Sequence, residues 1–221
     1  MLYIVSTPIG NLKDITLRAI ETLKSVDLIA AEDTRHSKIL LDHYQISTPT
    51  TSFFEHNEDI KKEQLLKLLK EGKKIALITD AGTPGISDPG YSLIKLAQDN
   101  QIPLAVIPGP TAAIAALTLS GLPSHNFIFE GFLPVKQNAR RKKLEELKSE
   151  SRTIIFYESS HRLVKALKDI EEVLGNPKIV VARELTKKFE EVRKDSVKEL
   201  AEYFTKHPPR GEFVVLLNLV K

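Results

Sequence analysis

The chain of 221 residues contains no cysteine, which excludes disulfides, iron–sulfur clusters and cysteine-ligated zinc. Its six histidines are scattered, and none stands at metal-ligand spacing from another, so we expect no metal site. No apolar run approaches the roughly 18 residues that a membrane-spanning helix needs. The first residues, M-L-Y-I-V-S-T-P, lack the charged start of a signal peptide. These absences predict a protein of the reducing cytoplasm without a membrane segment.

Several common ligand-binding motifs are also missing. No G-x-G-x-x-G follows the first apolar run, which argues against a standard dinucleotide-binding fold. Gly72-Lys73 lacks the upstream glycine of a phosphate-binding P-loop. The stretch G-I-S-D-P at 85–89 half resembles the G-x-S-x-G of serine hydrolases, but it ends in proline where a nucleophile elbow needs a small residue. Serine hydrolysis is therefore not the favoured chemistry.

The overall balance is that of an ordinary globular protein, with 42% hydrophobic and 28% charged residues. The formal net charge is +3 and the sequence pI is about 8.9. This mild basic excess is compatible with an anionic partner but does not require one.

The most distinctive stretch is D-A-G-T-P-G-I-S-D-P-G at 80–90, between an apolar run and an amphipathic segment. Its three glycines permit positive φ angles and close approach of a ligand, and its two prolines stiffen the loop. Asp88 followed by Pro89 predicts a helix N-cap with proline in the first turn. The alternative is a tight structural turn, for which one glycine or proline would suffice. The density of both residues favours a ligand-binding loop.

Short apolar runs alternate with helical patterns through the first half, which predicts an α/β domain with a mostly parallel sheet over residues 1–120. The strand-end loops 6–11, 32–36, 80–88 and 108–111 should then open on the same edge of that sheet. The second half mixes hairpin-like and βα patterns, which predicts an α+β domain over residues 121–221.

Charged residues cluster directly after the second predicted strand, where Glu32, Asp33, Thr34, Arg35 and His36 are consecutive. A carboxylate there could orient a hydroxyl group or accept its proton. The alternative is a helix start, with Asp33 or Thr34 as the cap. The charge density favours a functional role.

The densest basic cluster is predicted on a helix of the second half and its preceding loop, and contacts to a phosphate backbone are one interpretation of it. Balancing glutamates follow it, so a solvated helix face is the alternative. The cluster contains Lys136, Arg140, Arg141, Lys142 and Lys143.

Taken together, the motifs resemble one bacterial family, the ribosomal RNA small subunit methyltransferases I, over essentially the whole chain. The segments that carry the resemblance include T-P-I-G-N-L at 7–12, A-A-E-D-T-R-H at 30–36, the 80–90 loop, P-G-P-T-A at 108–112, F-Y-E-S-S-H-R at 156–162, A-R-E-L-T-K at 182–187 and R-G-E-F at 210–213. The wider fold is similar to that of the tetrapyrrole methylases, the class III S-adenosylmethionine methyltransferases.

The resemblance implies two α/β domains with S-adenosylmethionine in the cleft between them, and a homodimer. It implies 2′-O-methylation of a cytidine in the decoding region of 16S ribosomal RNA, so the small ribosomal subunit is the expected partner. Alternatives are methylation of a tetrapyrrole-like small molecule and a non-catalytic RNA-binding assembly protein.

The resemblance also implies roles for individual residues. Glu32, Asp33 and Arg35 are the candidate catalytic residues, with His36 and Glu184 as further candidates near the ribose and its phosphates. Lys187 joins the basic cluster as a candidate RNA contact. The implied cofactor-binding residues are Pro8, Asp80, Gly82, Thr83, Ile86, Ser87, Thr111, Ala112, Phe156, Tyr157, Ala182, Gly211 and Glu212.

Overall fold

The computed structural model describes residues 1–220, and Lys221, the last residue of the predicted second domain, lies outside them. The chain divides into two compact units, Met1–Thr111 and Ala112 onward. The predicted domain boundary lies nine residues later, after Ser120. The difference is the helix Ala112–Ser120, which packs on strands of the second unit because one of its faces is lined with buried small and apolar residues.

The first unit is a five-stranded parallel sheet with helices on both faces. Its strands are β1 (Leu2–Val5), β2 (Leu28–Ala31), β3 (Thr50–Ser52), β4 (Ile75–Ile78) and β5 (Leu104–Ile107). Its helices are α1 (Leu17–Ser25), α2 (Thr34–His43), α3 (Glu58–Lys70) and α4 (Tyr91–Asp99), and a 3₁₀ turn spans Leu12–Asp14. The strand order is β3-β2-β4-β1-β5, and every pairing is parallel.

The two faces of this sheet follow from the alternation of side chains along β4. Ile75 and Leu77 join the core beneath α3 and α4, while Ala76 and Ile78 join the core beneath α1 and α2. Gly72 follows the end of α3 with φ +87°, and its N–H donates to the carbonyl of Leu69.

Two local predictions in this unit need correction. β3 was not anticipated because it has only three residues and no apolar run. The predicted cap at Asp88 is wrong, since α4 begins at Tyr91 and its N-cap is Gly90, with φ +136° and no side-chain cap of its own.

The second unit is a mixed five-stranded sheet with helices on both faces. In chain order its elements are α5 (Ala112–Ser120), β6 (Phe127–Phe132), α6 (Gln137–Leu147), β7 (Thr153–Ser159), α7 (Leu163–Leu174), β8 (Lys178–Arg183), β9 (Glu191–Ser196), α8 (Val197–Lys206) and β10 (Glu212–Leu217). The strand order is β6-β7-β10-β8-β9. β6 and β7 are parallel, and the other neighbours are antiparallel. The predicted α/β fold class with two units is confirmed.

Candidate functional site

In the first unit, the loops that follow β1 and β4 are joined by main-chain hydrogen bonds. The N–H of Thr7 donates to the carbonyl of Gly82 at 2.9 Å, and the N–H of Gly82 donates back to Thr7 at 3.1 Å. The hydroxyl groups of Ser6 and Thr83 are 2.8 Å apart and share a further hydrogen bond. The predicted convergence of strand-end loops is therefore confirmed for these two.

The loop after β5 approaches the same place. A Cβ added to Gly109 would lie 2.9 Å from the Cβ of Ser6, so only glycine allows the two loops to pack this closely. Within the 80–90 loop, Gly85 has φ +78°, and an added Cβ would be 3.3 Å from the N atom of Tyr91. The glycines of both loops thus let backbone segments pack against each other.

The fourth loop, which follows β2, is tied to the start of the 80–90 loop through carboxylates. The Oε2 atom of Glu32 accepts hydrogen bonds from the Thr79 hydroxyl at 2.5 Å and from the Asp80 N–H at 3.2 Å. The N–H of Asp33 donates to Oδ1 of Asp80 at 3.2 Å. Burial raises the pKa of Asp80 above its ordinary value, and the neighbouring Glu32 carboxylate raises it further. All four loops therefore meet at one edge of the sheet.

Asp33 and Arg35 form a local pair at the start of α2. Asp33 is the N-cap, and its Oδ1 atom accepts from the N–H of Arg35 at 2.8 Å. The Arg35 guanidinium donates to both carboxylate oxygens, which lowers the pKa of Asp33 to about 2. The Arg35 side chain remains 90% exposed. Asp33 is thus the helix cap that one interpretation of the sequence gave, and its low pKa makes it a weak base.

Glu58, which belongs to none of the sequence motifs, holds the far end of the 80–90 loop. Its Oε1 atom accepts from the Gly90 N–H at 3.2 Å and from the Ser92 hydroxyl at 2.6 Å. It therefore supplies the cap that α4 lacks. No signal in the sequence connects Glu58 with Gly90, because they are 32 positions apart and only the packing of α3 beside α4 brings them together.

The other candidate cofactor residues of the first unit differ in exposure. Pro8 and Gly82 are buried, while Asp80, Thr83 and Thr111 are partly exposed. Ile86 and Ser87 project into solvent from the tip of the loop. Ala112 is the first residue of α5 and belongs to the second unit.

In the second unit, the side chains of Phe156 and Ala182 are fully buried, so only their backbone could meet a ligand. Tyr157, on the opposite face of β7, contacts the rings of Phe129 and Phe132 edge to face, with centroids 4.9 and 5.8 Å away.

A second carboxylate cluster joins the end of β8 to the start of β10. Glu184, at φ +48°, accepts through Oε1 from the N–H of Glu212 at 3.0 Å and from Nζ of Lys187 at 2.9 Å. Lys187 also pairs with Glu212 at 2.8 Å. Burial alone would lower the pKa of Lys187, but these two carboxylates more than compensate and raise it. The charge that was assigned to an RNA phosphate is thus already paired.

The basic cluster on α6 divides into buried and exposed residues. Arg140 is only 4% exposed and bonds to Asp169 through Nε at 2.7 Å, which corrects its assignment as an RNA contact. Arg141 also pairs with Asp169, at 2.8 Å, and Lys143 pairs with Glu130 at 2.6 Å. Lys136 and Lys142 are exposed, and within residues 1–220 neither lies in an ion pair. The sequence could not distinguish the paired from the unpaired cations, because Asp169 is 28 or more positions from the two arginines that it pairs with.

Within the described part of the chain, no group of three or more histidine, aspartate or glutamate side chains could hold a metal ion. No helix among residues 1–220 is both long and apolar enough to cross a membrane.

Residues 1–201 match the family model of the tetrapyrrole (corrin/porphyrin) methylases. The chain is 51% identical over 221 residues to the ribosomal RNA small subunit methyltransferase I of Haemophilus influenzae, covering 99% of this chain and 78% of that protein. It is 48% identical over 217 residues to the protein of the same name from Thermotoga maritima, covering 98% and 97% of the two chains.

Solved structures share the fold at much lower identity. Diphthine synthase superimposes with a TM-score of 0.77 at 13% identity, covering 98% of this chain and 89% of that one. Cobalt precorrin-4 methyltransferase superimposes with a TM-score of 0.74 at 20% identity, covering 100% and 96%. The resemblance inferred from the motifs is therefore confirmed: the chain belongs to the tetrapyrrole (corrin/porphyrin) methylase family, among the relatives of the ribosomal RNA small subunit methyltransferases I.

Proposed function

We propose that this protein is an S-adenosylmethionine-dependent methyltransferase that methylates the 2′-hydroxyl of a cytidine in the decoding region of 16S ribosomal RNA. The observation that carries the proposal is the 51% identity, over 99% of this chain, to a relative named for methylation of small-subunit ribosomal RNA. The convergence of the four strand-end loops in the first unit supports it, because ligands of open α/β sheets bind at the carboxyl ends of the strands.

The residues at this edge fit a cationic cofactor. Asp80 and Glu32 place two carboxylates beside each other, joined through the Asp80 N–H. Burial and the neighbouring Glu32 carboxylate raise the pKa of Asp80, and a sulfonium group would offset the repulsion between the two carboxylates. When bound, S-adenosylmethionine supplies an electrophilic methyl group.

Most of the rate enhancement should come from holding the acceptor hydroxyl in line with that methyl group. The hydroxyl proton must leave as its oxygen is methylated, and a carboxylate is the acceptor that this edge offers. Glu32 and Asp80 suit that role better than Asp33, whose pKa of about 2 reflects its pairing with Arg35. Arg35, with its exposed guanidinium, suits a phosphate beside the target ribose.

Phe156, Tyr157, Ala182, Gly211 and Glu212 remain candidate cofactor contacts in the second unit. Gly211 also has a structural reason to be glycine, since its added Cβ would overlap the side chain of Glu184. Loss of cofactor binding in a Gly211 variant would therefore need a parallel measurement of stability.

The test is incubation with methyl-labelled S-adenosylmethionine and small ribosomal subunits that lack the modification. We expect label in 16S RNA at one cytidine, where the backbone becomes resistant to alkaline hydrolysis. Label in an added tetrapyrrole precursor instead would replace RNA as the substrate. Binding of RNA without binding of the cofactor would identify a non-catalytic assembly protein.

The proposed assembly is a homodimer. Its proposed location is the cytoplasm, because that is where its proposed substrate, the small ribosomal subunit, is found. The apolar helix α5 supports self-association, because Ile114 and Leu119 are 44% and 53% exposed on it. Sedimentation equilibrium should give twice the chain mass for the wild type and a single chain mass for Leu119→Glu. A monomeric wild type would exclude the dimer.

A further inference from the structure

The second sheet brings several loops to one of its edges. β6, β7 and β8 run in the same direction, and β10 runs against β7 and β8. The loops that follow β6 and β8 therefore open on the same edge, at which β9 and β10 begin. Three inter-strand steps of about 4.8 Å separate β6 from β8, so the two loops stand about 14 Å apart across the edge.

The loop after β6 is held by two arginines. Arg140 donates through Nη1 to the carbonyls of Pro134 at 3.2 Å and Val135 at 3.0 Å, and Arg162 donates to the carbonyl of Leu133. Three consecutive carbonyl groups are thus fixed by side chains from α6 and from the residue before α7.

Both arginines are paired with buried carboxylates. Arg140 pairs with Asp169 and Arg162 pairs with Glu158, and each carboxylate residue is 1% exposed. Breaking such a buried pair would leave an uncompensated charge in the interior. The two ion pairs therefore stabilise the position of both arginines, and with it the loop that they hold.

The fixed loop presents apolar groups to solvent instead of burying them. Phe132 is 52% exposed and Val135 is 74% exposed, although Leu133 between them is buried. The ring of Phe132 contacts the ring of Tyr157 in an edge-to-face arrangement, with the centroids 5.8 Å apart. Lys136, exposed and without an ion pair among residues 1–220, follows directly.

The loop between β8 and β9 has the same character. Leu185 anchors it in the interior, and the N–H of Thr186 donates to Oε2 of Glu190 at 2.6 Å. Phe189 is nevertheless 65% exposed, with Nζ of Lys188 5.7 Å from its ring centroid. Each loop thus combines a held backbone, an exposed phenylalanine and an exposed lysine.

We propose that this edge of the second sheet binds a single-stranded segment of RNA that flanks the methylated nucleotide, with bases stacked on Phe132 and Phe189 and phosphates near Lys136 and Lys188. Proteins commonly bind unpaired nucleotides through exposed aromatic rings and cations. The bases stack on the rings, and the cations contact the phosphates. Rings held on fixed loops lose little conformational entropy on binding. The inference rests on the proposed function for its choice of RNA.

The experiment compares Phe132→Ala and Phe189→Ala with Phe127→Ala, which removes an exposed ring from the opposite end of β6. The probe is a labelled single-stranded RNA oligonucleotide that covers the decoding-region cytidine, and affinity is read by fluorescence anisotropy. We expect each loop variant to bind RNA about 5- to 100-fold more weakly than the wild type, the loss of affinity typical of removing one stacked base. Phe127→Ala should bind as the wild type does. Phe132→Tyr and Phe189→Tyr should restore most of the affinity.

The salt dependence of RNA affinity distinguishes stacking on the phenylalanine rings from contacts between lysines and phosphates. Lys136→Ala should reduce the slope of log affinity against log salt by about one, while the phenylalanine variants should leave the slope unchanged. Cofactor affinity and the urea midpoint, measured on the same samples, should not change in the phenylalanine variants.

Unchanged RNA affinity in both alanine variants would overturn the inference, and a wild type that still methylates subunits would leave the proposed function standing. Variants that bind the oligonucleotide normally but fail to bind assembled subunits would also overturn it, in favour of contact with a ribosomal protein. If the wild type binds the oligonucleotide through these rings yet transfers no methyl group, the surface stands and the proposed function fails.

Discussion

The side chain of Glu184 occupies the space into which a side chain at Gly211 would project. Gly211 has φ +90°, and a Cβ built on it would overlap the carboxyl group of Glu184. That carboxyl group is held by the N–H of Glu212 and by Lys187. The turn before β10 is therefore built around glycine for two reasons, its backbone conformation and its neighbour.

Gly211→Ala should lower the free energy of unfolding by more than a change of backbone conformation alone. The positive φ costs about 1 kcal/mol, and displacing Glu184 from its hydrogen bonds adds about 1–3 kcal/mol. Gly72→Ala is the matched control, because Gly72 has φ +87° but open space where its Cβ would lie. Urea unfolding of both variants measures the difference.

A double-mutant cycle isolates the overlap. With Glu184→Ala in the background, Gly211→Ala should cost only about as much as Gly72→Ala. Additive effects in the cycle would mean that the two residues do not interact.

Glu58→Ala should both destabilise the protein and weaken cofactor binding. It removes the acceptor for the Gly90 N–H and the Ser92 hydroxyl, at a cost of about 1 kcal/mol, as expected for a lost helix cap. Glu58→Gln keeps an acceptor oxygen and should lose less. Glu63→Ala, an exposed position on the same helix, is the control. Calorimetric titration with S-adenosylmethionine gives the affinities. Equal affinity in Glu58→Ala and the wild type would contradict the prediction that Glu58 supports cofactor binding by holding the 80–90 loop.

Asp80→Asn should stabilise the free protein at pH 7 while it weakens cofactor binding. The pKa of Asp80 is raised above 3.8 by burial and by Glu32, so its ionised form destabilises the fold at neutral pH. Asparagine keeps an oxygen to accept the Asp33 N–H without the charge. The gain in the free energy of unfolding that Asp80→Asn brings should shrink as the pH falls towards 3.8. Below that pH, aspartate is protonated in both the folded and the unfolded state.

Chemical unfolding of wild type and Asp80→Asn between pH 7 and pH 4 measures this difference. Asp42→Asn, which removes an exposed carboxylate of α2, should change stability by less than about 1 kcal/mol throughout. A stability difference that grows as the pH falls would have the wrong sign for this account.

Arg140→Ala should destabilise the protein strongly, by about 3 kcal/mol, because it leaves the buried carboxylate of Asp169 with only part of its compensation. Arg141→Ala, at a partly exposed position on the same helix, should cost about 1 kcal/mol or less. At temperatures where the neutral variant Arg140→Gln stays folded, its RNA affinity should keep the salt slope of the wild type, unlike that of Lys142→Ala. A reduced slope in Arg140→Gln would return Arg140 to the RNA-binding residues.

The regular elements were predictable where a pattern was strong and local. The short apolar runs that alternate with helical patterns in the first half predicted a mostly parallel sheet with helices, and the first unit has that architecture. Errors arose where a distant residue determined the local structure. The N-cap of α4 is Gly90 and not the predicted Asp88, and the side chain that accepts the Gly90 N–H belongs to Glu58.

The sequence by itself determined the family, the alternation of strands and helices, and the loops that meet at the edge of the first sheet, because each depends on neighbouring residues or on an ordered set of motifs. Only the tertiary structure decided which charges are free. Arg140, Arg141, Lys143 and Lys187 are equivalent cations in the sequence, and each is paired with a carboxylate that the fold brings from elsewhere. The exposed rings of Phe132 and Phe189 are likewise a tertiary result, since burial depends on what packs against a residue and not on its type.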